Sequence, residues 1–198
     1  MKKKSKAIVE VVLVALIVIA AAFAISKPVH ERVRVNQTAA MMRSLARKSS
    51  IKLDSIEEAQ KESNRQLTAT IIMKASCEHC HETLTKMKGQ INKSRIPFAV
   101  IDGNSRIAKD LQAQLSAKQT PCVIVWDKER PVLVYVGDGS KQSVNNILQI
   151  LNNQNIDDHD QPIKALDGNA LWYHNDDAHV VSQNEIPHLK GFLNGEAQ

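Results

Sequence analysis

Cys77 and Cys80 stand two residues apart in "SCEHCHE", with His79 between them and His81 directly after. Several chemistries use these residue types at this spacing. Two thiols one helical turn apart can close into a disulfide and open again, exchanging two electrons with a partner. Read as far as His81, the same letters give C-x-x-C-H, in which both cysteines form thioethers to a haem and the histidine ligates its iron. Two thiolates with His79 or His81 assisting would also suit a soft metal such as Cu(I). The third cysteine, Cys122 in "TPCVIVWD", reads either as a small buried core residue or as a further redox thiol beside the pair. The tail carries His159, His174, His179 and His188. His174 and His179 are five apart and no cysteine joins them, so they read as solvated loop residues rather than ligands.

The elements that must position the dithiol alternate in type. "LTATIIMK" (residues 67–74) is β-branched and apolar, a buried strand, and the cysteines follow it at once. "HETLTKMKGQIN" places Leu84, Met87 and Ile91 at helical spacing. "IPFAVID" is a second strand, and "SRIAKDLQAQLS" a second helix with Ser105 as its candidate cap. "TPCVIVWD" and "RPVLVYVG" are close enough to form a hairpin, and "SKQSVNNILQILNN" closes the series with Val144, Ile147, Leu148 and Leu151 on one face. A strand–helix–strand unit calls for a parallel pair and the hairpin for an antiparallel one, so the expected sheet is mixed and four-stranded, with helices on both faces. A haem site sits poorly in this order, whereas a thiol at the junction of strand and helix gains from the partial positive charge of the helix start.

Strand, C-x-x-C at a helix start, two more elements, then Thr120-Pro121 opening a hairpin before a last helix: this order resembles the thioredoxin superfamily over about residues 67–153. The resemblance implies a thioredoxin-like α/β fold and a thiol–disulfide oxidoreductase or isomerase acting on protein disulfides without a cofactor or metal. It puts the nucleophile on Cys77 and the resolving thiol on Cys80. It puts a cis proline on Pro121 and the backbone contact to substrate on Thr120. His79 before the resolving cysteine resembles the envelope oxidases of the DsbA kind and disulfide isomerase, and stabilises a thiolate at Cys77. Glu78 acts the other way. Thr120 before the proline is more similar to the DsbC and DsbG isomerases. The chain departs from the family at Ile71, where many members keep a buried acid.

The flanks bound where such chemistry would occur. Lys2, Lys3, Lys4 and Lys6 precede an apolar run over residues 7–25, broken once by Glu10. The run reads as an uncleaved inner-membrane anchor or, through Ala22-Phe23-Ala24, as a cleaved export signal. With the lysines held on the cytoplasmic side, both readings place the body in the periplasm. Without those four lysines the charges balance at 22 basic to 21 acidic, and no aromatic-studded basic patch appears, which argues against nucleic acid as a partner. The expected partners are protein substrates with thiols or disulfides, a redox partner protein and, through the N-terminal helix, the membrane. The chain thus divides into an anchor or signal over 1–26, a helical stalk or linker over 27–66 with a break at Pro28, the thioredoxin-like domain over 67–155 and an acidic extension over 156–198. Asp54 or Ser55 could cap a helix in the stalk. In the extension Trp172 and Tyr173 read as anchors of the tail on the domain. Two rival functions remain open at this stage: a copper-binding module of the same fold, and a non-catalytic envelope assembly protein.

Overall fold

The structure, a computed structural model, describes residues 2–48, 67–91, 94–128, 130–158, 160–163, 169–174 and 177–182. The expected cap at Asp54 or Ser55 falls outside them. The first element, α1 (Lys2–Lys48), is one helix that continues through Pro28. The break expected there does not occur. Proline removes one hydrogen bond but holds a helix-compatible φ, so a helix secured on both sides can continue through it. Along its N-terminal part Val12, Leu13, Val14, Leu16 and Ile17 are exposed. Of the run over residues 7–25, only residues 12–17 have described side chains; among the described residues no helix is long and apolar enough to cross a membrane. Further on, Thr38, Met42 and Leu45 are buried against the body, so residues 34–48 are part of the folded unit rather than a free stalk.

The body is a single mixed sheet with helices on both faces. Its strands are β1 (Thr68–Met73), β2 (Phe98–Asp102), β3 (Cys122–Asp127), β4 (Arg130–Val136), β5 (Asn169–His174) and β6 (Asp177–Ser182), in spatial order β2-β1-β3-β4-β5-β6. The helices are α2 (Glu78–Met87), α3 (Arg106–Gln114) and α4 (Lys141–Leu151). β1 pairs with β2 in parallel and with β3 antiparallel, and β3 and β4 form the expected hairpin. Ser105 caps α3 as its sequence suggests, its hydroxyl accepting from the Ala108 N–H at 3.2 Å, and Ser140 caps α4 in the same way.

The sheet is six-stranded, not four-stranded. β5 pairs in parallel with β4 and folds back on β6, so the sheet continues past residue 155 into the tail. The solvated loop expected around His174 and His179 is a hairpin. Trp172 and Tyr173 are buried there and hold the tail to the domain, Trp172 donating to the Leu115 carbonyl at 2.8 Å and Tyr173 to Asp157 at 2.6 Å.

Alternation along the strands sorts the core into two. Ile71, Val123, Val125, Leu133, Tyr135 and Tyr173 face α2, α4 and the end of α1. Ile72, Cys122, Ile124, Trp126, Val134 and Trp172 face α3. Inside α4, Ile150 is buried with Val144, Ile147 and Leu151, while the expected Leu148 is only partly covered.

Candidate active site

The chain leaves β1 at Met73, turns through Ala75 and Ser76, and enters α2 at Cys77. Cys77 is the N-cap residue. Its extended backbone (φ −80°, ψ 125°) turns the sulfur back over the first turn, where it accepts from the Cys80 N–H at 3.3 Å. A cysteine thus fills the place usually taken by Ser, Thr, Asp or Asn. One turn in, Cys80 is fully buried, and its sulfur accepts from the Lys74 N–H at 3.4 Å. Both are free thiols.

The two sulfurs differ in their affinity for a proton, and each sets the other. Cys80 donates to Cys77 and holds its thiol down at about 5, against the opposing pull of burial; the Thr120 side chain, the Cys80 N–H and the charge of nearby His79 add smaller shares. The same bond, with burial, pushes the Cys80 thiol well above its ordinary range. The sequence drew attention to His79, yet the larger cause is Cys80 itself. No acidic side chain is buried among the described residues, and Ile71 is fully enclosed. The proton of Cys80 therefore has no interior carboxylate to receive it.

From the other side the loop before β3 meets the dithiol. The Thr120–Pro121 peptide is cis, and the Cys77 thiol donates to the Thr120 carbonyl at 3.2 Å. The Gly137 N–H donates to the Pro121 carbonyl at 2.9 Å, which fastens this loop to the end of β4. At Gly139 (φ +78°) a side chain would come within 3.0 Å of the His79 Cα and carbonyl, so only glycine lets this loop pass so close to α2. Beside it, the Ser140 hydroxyl and N–H hold the Asp138 carboxyl below its usual range, close enough to His79 to feel its charge.

α1 closes the remaining side, a contribution the sequence reading did not foresee. Arg34 donates to the Ser76 carbonyl at 3.2 Å, one residue before Cys77, and pairs with Glu31 on its own helix. The buried Thr38 hydroxyl bonds the His81 Nδ1 at 2.9 Å. His81 is half-buried there. Arg34, Thr38, Met41, Met42 and Leu45 recur at helical spacing, and that periodicity was the signal available for this face.

The structure therefore brings together Cys77, Cys80, His79, Thr120 and Pro121 from two separated stretches of chain. It does not bring Cys122 to them: that thiol points to the opposite face of the sheet, and burial pushes it up to about 12. The reading of Cys122 as a further redox thiol beside the pair gives way to that of a core residue, because β3 places 122 and 123 on opposite faces. Among the described residues no three His, Cys, Asp or Glu side chains cluster as a metal site. No family model, curated protein or solved structure matches the chain.

Proposed function

We propose that the protein is a thiol–disulfide oxidoreductase of thioredoxin-like fold, acting on protein substrates in the cell envelope and held to the membrane by the apolar run over residues 7–25. One observation carries this reading: a half-buried thiol of low proton affinity caps α2 while a fully buried partner, one turn inward, hydrogen-bonds to it. The Cys77 thiolate attacks a substrate disulfide, forming a mixed disulfide and releasing one substrate thiolate. Cys80 then gives up its proton to the substrate thiolate just released and attacks the Cys77 sulfur. The Cys77–Cys80 disulfide forms, the second substrate thiolate leaves, and two electrons have passed to the substrate. Run backwards, the same steps oxidise a dithiol. Stabilising the Cys77 thiolate favours the reduced protein, which makes its disulfide a good oxidant and favours the backward direction.

The anchor reading is supported by the lysines before the run and by exposed apolar residues on all sides of α1 between Val12 and Ile17. A thioether haem finds less support. Cys80 is enclosed beneath α2, where no porphyrin edge reaches, and His81 is bonded to Thr38. The deciding experiment equilibrates the protein in glutathione redox buffers and follows Cys77 and Cys80 by mass. Reversible formation of an internal disulfide, with catalysed exchange on a scrambled protein substrate, is expected. A pair that never closes, or closes without catalysing exchange, sinks the proposal.

A further inference from the structure

α1 carries both the apolar run and the residues that grip the active-site loop, without interruption. That makes it a ruler. Its register against the dithiol is fixed at three levels: Arg34 on the Ser76 carbonyl, Thr38 on His81, and Met42 with Leu45 in the core. Arg34 follows Ile25, the last residue of the apolar run, by nine positions. At a helical rise of about 1.5 Å per residue this is a span of about 14 Å. Tilt of the helix, or a bend at Pro28, lowers that height and cannot raise it. The headgroup layer occupies roughly 5–8 Å of it.

From this we infer that the dithiol works on cysteines of other membrane-embedded proteins, in the stretches of chain that lie just outside the bilayer. The inference rests on the oxidoreductase and anchor readings above. A folded soluble protein has to bring its disulfide down to the headgroup layer to meet Cys77. A membrane protein presents its first extramembrane residues there by construction. Confinement of both partners to one membrane also raises their effective concentration.

The test uses the full chain with Cys80→Ser, expressed in its native membrane, and identifies the mixed disulfides that accumulate on Cys77. Adducts are expected chiefly on membrane proteins, at cysteines next to apolar spans. A companion chain receives seven helix-forming residues after Ser26, and a second receives fourteen. Seven residues raise the dithiol by about 10 Å and rotate it by only about 20°. Adducts to membrane proteins should fall about threefold with seven and about tenfold with fourteen. In a Cys80-containing background, exchange with a short soluble peptide should stay unchanged, which shows that the lengthened chains still fold. Adducts dominated by soluble exported proteins, or membrane adducts indifferent to both insertions, overturn the inference. If the lengthened chains lose peptide exchange, the unaltered chain decides: trapped cysteines far from any span overturn it and juxtamembrane ones uphold it. Two results reach deeper. Absence of any adduct removes the oxidoreductase reading, and release of the chain from membranes by alkaline carbonate removes the anchor; either takes the inference with it.

Discussion

On one face of the sheet Cys77 and Cys80 sit where β1 hands over to α2, between the cap of a helix, the Thr120 carbonyl and the gripping residues of α1. On the other face Cys122 lies under α3 among Ile72, Ile124 and Val136, and burial is what raises its thiol. The thiol is the same, yet one is held down at about 5 and another is pushed up to about 12. Burial acts on all three cysteines and raises each. What separates Cys77 is a set of donors arranged around its sulfur. Cysteine chemistry in this chain is thus assigned by the donors that reach each sulfur, the Cys80 thiol first among them, not by exposure alone.

The contrast is most exposed to refutation through substitution. Cys77→Ser should abolish disulfide exchange down to the uncatalysed rate, while Cys122→Ser leaves turnover of the folded protein intact. Measuring exchange on a scrambled protein substrate decides both, and equal losses would erase the distinction between the faces. Cys80→Ser should accumulate mixed disulfides through Cys77, visible on non-reducing gels. Adding Cys122→Ser to that variant should change neither their amount nor their lifetime, since Cys122 faces away; escape that depends on Cys122 would show the two faces to be connected.

A smaller and graded effect is the pH profile. Alkylation of Cys77 should run at a plateau above about pH 6 and decline in proportion to the thiolate below about 5. A midpoint near the free value of about 8.5 would remove the special status of the site. Stability should respond with opposite signs to Cys77 and to Cys122. The folded-state value of Cys77 is depressed, so its contribution is complete above about 8.5 and is lost as pH falls toward about 5. That of Cys122 is raised, so its contribution is complete below about 8.5 and is lost as pH climbs toward about 12. Denaturant titrations of Cys77→Ala and Cys122→Ala should each flatten one of these slopes, the second only in part because Cys80 shares it. The smallest effect is on packing: Cys122→Ala should cost about 1 kcal/mol of stability. A much larger loss would mean that Cys122 does more than fill space.

How much of this could be read in advance depends on whether the information was local. The order from β1 to α4 was legible because each segment carries its own period and its own stop, and Ser105 announces a helix start by chemistry alone. Pairing Cys77–Cys80 with Thr120-Pro121 came through the family resemblance that the element order carries, not from the residues alone. The two tail strands were not legible. "NALWYH" is short and polar at both ends, and its partner β4 ends more than thirty residues earlier, so nothing nearby declares the pairing. The grip of α1 was missed for a related reason. Pro28 suggested an ending, and Arg34 and Thr38 acquire meaning only when Ser76 and His81 arrive from forty-odd residues away. The side of Cys122 was open in the sequence because it depended on strand register, which β3 settles by alternation.

The tail hairpin has a consequence for how copies of this chain behave toward one another. Every residue of β4 after Arg130 is buried, and its outer hydrogen-bonding side is taken by β5. Were the chain to stop at 155, that apolar strand would become an open edge, with unpaired N–H and C=O groups offered to any other strand. With the hairpin in place the outermost strand among the described residues is β6, whose described side chains are those of His179 and Val180, both exposed. β5 and β6 thus act as a selvedge: they finish the cloth so that neighbouring pieces do not knit together.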